Sequence, residues 1–218
     1  MTETSRHPLV PRTFNMNGQS TRYLESGSAE GPLMFFLHGW PSMSLMWRAQ
    51  IEAFAADGWR CVAPDLRGYG GSSAPEATDA YTIESAVADM TELHDYLGGA
   101  PAIWVGHDWG SVVVAELSAH EPRRSRGVVL TSLAYQPDGH ALSTVVPLVD
   151  RAIYPADEYP DGQWDYYRYY MTHFEAAVAD LDADRAASLA SIFRSGNPDG
   201  VGKVSPNAVV TRNGGVFG

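Results

Sequence analysis

Between Thr21 and Leu133 four short apolar runs alternate with three amphipathic stretches, and this alternation constrains the fold more than any other feature. The runs are Leu33–Leu37 (LMFFL), Arg60–Ala63 (RCVA), Ala102–Val105 (AIWV) and Gly127–Leu133 (GVVLTSL). Each is nearly all apolar without strict alternation, the pattern of parallel strands covered on both faces. The intervening stretches, Ser44–Ala56, Thr82–Leu97 and Ser111–His120, read as helices. In the second, Ile83, Val87, Met90, Leu93, His94 and Leu97 recur at three- and four-residue spacing and turn one stripe towards a sheet. Thr82 is a suitable N-cap, and Gly98-Gly99 ends the helix. The repetition predicts an α/β fold, a doubly wound and mostly parallel sheet with right-handed crossovers.

After Tyr135 the alternation stops. Aromatic residues crowd into Tyr154–Phe174, an Ala-rich helical pattern runs from Glu175 to Phe193, and a loop-like tail follows. We therefore expect a core over residues 1–135 and the start of a helical insertion over 136–218, with the further strands of the sheet absent. Net charge is −11, which repels nucleic-acid phosphates and anionic lipid headgroups and favours small neutral or apolar ligands. The single cysteine, Cys61, cannot form an internal disulfide, and no Cys or His cluster indicates a metal site. The first residues lack the apolar segment of a signal peptide and no run is long enough to span a bilayer, so a cytoplasmic enzyme is expected.

The chemistry concentrates in Gly106-His107-Asp108-Trp109-Gly110, between the run AIWV and the helical SVVVAELSAH. This is a G-x-nucleophile-x-G turn in its required context of strand, sharp turn and helix. Asp108 would project above the sheet at a helix N-terminus, where the dipole favours negative charge. The plainer reading, a simple N-cap, does not explain glycine on both sides. A serine attacking an alkyl carbon would leave an ether that water cannot readily cleave. A carboxylate leaves an ester instead, so aspartate points to electrophilic sp³ carbon in epoxides or alkyl halides. His38-Gly39-Trp40-Pro41 ends the first run, where a loop can supply a second backbone donor. The amides of Trp40 and Trp109 are the candidate oxyanion hole, although an ordinary Gly-Pro turn would look the same. Pro41 holds Trp40 in extended conformations, with a cis bond as an option. Asp65-Leu66-Arg67-Gly68-Tyr69-Gly70-Gly71-Ser72 reads as a structural loop held by Asp65 and Arg67.

HGWP, DLRGYGGS and GHDWGS, in this order and spacing, resemble the epoxide hydrolases of the α/β-hydrolase superfamily. The similarity covers about Tyr23 to Asp138 and continues beyond. It implies attack by Asp108 on an epoxide carbon, an alkyl-enzyme ester, and hydrolysis by water to a vicinal diol. It also implies phenol donors to the ring oxygen, and the segment Trp164-Asp165-Tyr166-Tyr167 matches the family's motif with Tyr166 in that role. By spacing alone Tyr166, Tyr167, Tyr169 and Tyr170 are indistinguishable, and an aromatic stripe is usually packing. His38, Pro41, Trp109 and Tyr167 are expected to line the substrate pocket. No cofactor is implied, since water is the only co-substrate.

The resemblance also implies an orienting acid, a second tyrosine and a general-base histidine after the nucleophile. None of His7, His38, His94, His107, His120, His140 and His173 fits the base by position, and Asp138 is a candidate acid. The chain is thus expected to stop before the base and to turn over poorly alone. Its candidate partners are a C-terminal remainder of the same hydrolase and a second copy of the chain. The alternatives are a haloalkane dehalogenase, disfavoured by Trp rather than Asn at position 40, and a catalytically dead ligand-binding relative.

Overall fold

In the computed structural model, residues 7–193, 195–196 and 198–215 are described, and the chain divides into two compact units at Tyr135/Gln136. The first unit holds a six-stranded sheet: β1 (Val10–Met16), β2 (Gln19–Ser26), β3 (Leu33–Leu37), β4 (Arg60–Pro64), β5 (Ala102–His107) and β6 (Ser125–Thr131). Their spatial order is β1-β2-β4-β3-β5-β6. The four predicted runs form the parallel part, β4-β3-β5-β6, and the antiparallel pair β1–β2 extends it beyond β4. That pair lies outside the alternation read from the sequence. Its signal was Asn17-Gly18, both at positive φ in a two-residue turn whose twist suits a hairpin.

Three helices cover the first unit's sheet: α1 (Arg48–Ala56), α2 (Ile83–Tyr96) and α3 (Trp109–His120). Alternation along β3 divides the core. Leu33, Phe35 and Leu37 pack with Met90 and Leu93 of α2 and Val113, Val114 and Leu117 of α3. Met34 and Phe36 pack on the other face with Trp47 and with Ile51 and Ala55 of α1. Thr82 caps α2 by accepting a hydrogen bond from the Ser85 amide at 3.1 Å, and Gly98 and Gly99 end it at positive φ. The first predicted helix opens instead as a 3-10 turn, Ser44–Trp47, before α1 begins. β6 departs further from expectation. It ends at Thr131, where Ser132 turns to φ +74°, and among the described residues no strand pairs its outer side, so Val128 and Val129 are exposed.

The second unit is helical: α4 (Leu142–Val145), α5 (Asp165–Thr172), α6 (Phe174–Ala183), α7 (Arg185–Ile192) and α8 (Val210–Asn213). The Ala-rich stretch is two helices because Asp184 leaves helical geometry and caps α7 through the Ala187 amide, 2.9 Å away. The tail, expected as loop, contributes α8, which packs Val210 against Tyr169 and Ala177. Arg168 and Asp161 form a two-pronged ion pair that ties α5 to the segment before it. No helix among the described residues is long and apolar enough to cross a membrane.

Candidate active site

The turn from β5 into α3 places Asp108 at φ 54° and ψ −125°, a backbone state disfavoured for a side-chain-bearing residue. Such strain costs on the order of 1–3 kcal/mol and persists only where surrounding structure enforces it. Here the Asp108 N–H donates to the Thr131 carbonyl at 3.1 Å, and the Asp108 carbonyl accepts from the Ser111 amide at 2.8 Å. Ser111 reinforces the joint, donating from Oγ to the Thr131 carbonyl and accepting from the Thr131 amide. The flanking glycines are sterically required. A Cβ at Gly106 would lie 2.5 Å from the Gly110 carbonyl oxygen, and one at Gly110 would lie 2.3 Å from that of Leu37.

Asp108 occupies the N-cap position of α3, but its side chain makes no capping bond. Its Oδ1 instead accepts the Trp40 N–H across the gap from the β3 loop, at 2.9 Å. Gly39 permits this approach: a Cβ there would be 2.3 Å from Oδ1 of Asp108 and 2.7 Å from the Trp109 amide nitrogen. Gly39 thus lies against both the Asp108 carboxylate, which holds the Trp40 amide, and the Trp109 amide, and the Trp40–Pro41 peptide is cis.

His38 is fully buried and both ring nitrogens are engaged. Nδ1 lies 3.0 Å from the Gly39 carbonyl oxygen and Nε2 accepts the Leu66 N–H at 2.9 Å, which selects the neutral Nδ1–H tautomer. Burial holds its pKa below the usual imidazole range, against the opposing pull of the Gly39 carbonyl, Asp65 and Asp108. Asp65, also fully buried, accepts the amides of Ser44 and Gly71 at 2.9 and 3.0 Å. Arg67 forms a two-pronged pair with Asp89 at 2.9 and 2.7 Å. These contacts lock together the loops after β3 and β4. Tyr69, absent from the sequence reading of the site, sets its ring edge-on to His38 with centroids 4.9 Å apart. Burial, with a contribution from the Asp108 carboxylate, pushes its phenol up to about 12.

In the second unit, α5 separates the four tyrosines that spacing could not. Tyr169 is buried and donates to the Gly214 carbonyl at 3.2 Å, a packing role. Tyr166 stacks against Trp164 and meets the Tyr170 ring edge-on at 5.7 Å. Tyr167 lies half-buried on the same helix. Burial, with Tyr166 beside it, pushes Tyr170 up to about 12.

Most histidines are otherwise committed. His94 is fully buried, donating from Nε2 to the Ala100 carbonyl at 2.8 Å and accepting from Arg124 at 3.0 Å. His120 is exposed beside Glu116, and His173 stacks on Tyr169 while its Nδ1 lies 2.8 Å from Oγ1 of Thr172. His107 keeps a buried Nδ1 with no hydrogen-bond partner among the described residues. No group of three or more His, Cys, Asp or Glu among those residues is arranged to hold a metal ion.

The parallel sheet, the strained turn after β5 and the backbone donor from the β3 loop define a class. The chain belongs to the α/β-hydrolase fold family, whose model matches residues 32–183. Among its relatives is epoxide hydrolase A of Mycobacterium tuberculosis (strain ATCC 25618 / H37Rv), 34% identical over 192 residues, which are 87% of this chain and 56% of that protein. Bifunctional epoxide hydrolase 2 of Sus scrofa is 30% identical over 82% of this chain and 30% of its own length. The crystal structure of epoxide hydrolase A from Mycobacterium thermoresistibile superposes with a TM-score of 0.74 at 32% identity, covering 91% of this chain and 61% of that one. Epoxide hydrolase VrEH1 from Vigna radiata gives 0.71 at 33% identity, covering 87% and 56%. The chain therefore spans little more than half the length of three of these four.

Proposed function

We propose that this chain carries the nucleophilic half of an epoxide hydrolase. The observation that carries the reading is the 2.9 Å bond from the Trp40 amide to Oδ1 of Asp108, made by an aspartate at positive φ on the strand-to-helix turn. With Oδ1 held, Oδ2 attacks an epoxide carbon. The C–O bond of the ring breaks, an ester forms at Asp108, and the ring oxygen leaves as an alkoxide that takes a proton from a phenol donor, the role for which the family resemblance nominates Tyr166. Phenols as a class suit this task, since an unperturbed phenol is protonated at neutral pH. Water then adds to the ester carbonyl, and the Trp40 and Trp109 amides stabilise the tetrahedral oxyanion. Collapse of this intermediate releases the diol and regenerates the carboxylate.

In this reading the first unit is the catalytic core, with Pro41 and Trp109 on the nucleophile's side, and the second, which carries Tyr167, is the start of a cap. His38 acts by holding the oxyanion loop. The proton of the attacking water goes to the general-base histidine that the family resemblance implies, and from it through solvent to the phenolate, which restores both groups. The relatives' names as epoxide hydrolases support the substrate class.

Intact-protein mass spectrometry after incubation with styrene oxide tests the reading, with a matched alkyl bromide in parallel. The expected product is an adduct carrying the whole epoxide, long-lived in the absence of the base and absent from Asp108→Asn. An adduct from the bromide alone would replace this reading with a dehalogenase.

A further inference from the structure

The peptide that joins Gly39 to Trp40 is engaged at both ends. Its N–H is the Trp40 donor that reaches Oδ1 of Asp108 at 2.9 Å. The cis bond lies one residue on, between Trp40 and Pro41, and Gly39–Trp40 is trans. A trans peptide points its C=O away from its N–H, and three donors converge on that oxygen, the Gly39 carbonyl. They are Nδ1–H of His38 at 3.0 Å, the Ser42 amide at 2.9 Å and Oγ–H of Ser42 at 2.9 Å. A carbonyl oxygen offers two lone pairs, so this one is used to its full capacity. The Ser42 amide closes the turn from Gly39 to Ser42 whatever side chain stands there. The hydroxyl is an addition to that turn, and Sδ of Met46, 3.0 Å from Oγ, competes for its single proton.

We infer that Ser42 is a positioning residue for the oxyanion hole: its hydroxyl, with the His38 ring, draws electron density towards the Gly39 carbonyl oxygen and makes the Trp40 N–H a stronger donor. Hydrogen bonds in a chain polarise one another, each strengthening the next by about 10–30%. The inference rests on the proposed role of Asp108 as a nucleophile that is esterified and then released. The two steps of that role respond with opposite signs. Asp108 starts as a carboxylate, and attack on carbon removes negative charge from beside the Trp40 amide. A stronger donor therefore holds the carboxylate back and slows ester formation. Attack on the ester carbonyl places a full negative charge on one oxygen at the same amide, so a stronger donor speeds ester cleavage. A residue that merely kept the loop in shape would slow both steps when removed.

The test follows both steps in the 218-residue chain by intact-protein mass spectrometry, with styrene oxide to form the ester and hydroxylamine to cleave it. Hydroxylamine attacks the ester carbonyl itself, so cleavage passes through the same oxyanion without calling on the general base. Ser42→Ala should cleave about threefold more slowly and form its ester about twofold faster. Ser42→Thr keeps a hydroxyl and should return both rates to those of the parent chain. Met46→Leu removes the competing acceptor and should cleave no more slowly than the parent. Slowing of both steps in Ser42→Ala, no change in either, or failure of Ser42→Thr to restore them would overturn the inference and leave the hydrolase reading standing. Slower cleavage in Met46→Leu would do the same. Absence of an Asp108-dependent ester from the parent chain would overturn the hydrolase reading, and the inference with it.

Discussion

Asp108 is set by its neighbours more than by its own chemistry. Gly39 is the sharpest case, since a methyl group there would lie 2.3 Å from Oδ1 of Asp108. Gly39→Ala should slow ester formation about a hundredfold, the scale of misplacing a reacting group by about 1 Å, with circular dichroism retained. An unchanged rate by mass spectrometry would mean that this approach has no bearing on the chemistry. His38 acts at one remove, since its Nε2 is the acceptor for the buried Leu66 amide. His38→Phe should destabilise the chain by about 1–3 kcal/mol in urea unfolding by leaving that donor unsatisfied. The two buried histidines also make an acid-stability prediction. Both His38 and His94 have pKa values lowered, chiefly by burial, from the ordinary 6.5. Protonation would set a second N–H against the Leu66 amide at His38 and against Arg124 at His94. The unfolded chain therefore binds protons first. The stabilisation is complete above the unfolded pKa and is lost as pH falls through the folded values. Urea midpoints measured from about pH 7.5 to about pH 5 should fall, and His94→Gln should flatten the slope.

At the scale of elements, the packing joints lie where strands end. β3, β4 and β5 finish at one edge, and the loops leaving them meet through His38–Leu66, Asp65–Ser44 and Trp40–Asp108. The α1 face is sealed by a different chemistry. Cys61 on β4 is fully buried among Met34, Phe36, Ile51 and Ala55, and burial alone pushes its thiol up to about 12. Thiol reagents should therefore label Cys61 only as fast as this layer opens, and labelling should accelerate with urea in step with the loss of circular dichroism. Rapid labelling of the native chain would show that α1 separates from the sheet without global unfolding.

At the scale of the molecule, the sequence alone determined the alternation of strands and helices, the turn bearing Asp108 and the HGWP loop opposite it. These are local features: an apolar run, a cap, a pair of glycines and a breaker all act within a few residues. The hairpin at Asn17-Gly18 was equally local, and its signal lies in that two-residue turn. Other features needed the folded chain because they join residues distant in sequence. Only the tertiary structure placed Trp40 against Asp108, 68 positions away, committed both nitrogens of His38, and put Tyr69 against that ring. It also separated buried Tyr169 from Tyr166, because helical spacing names a face without saying what the face meets. The GVVLT run shows the same limit from the other side. Composition reads it as a strand covered on both faces, and among the described residues Val128 and Val129 stand partly exposed beside β5, because coverage belongs to neighbours that a strand's own residues do not encode.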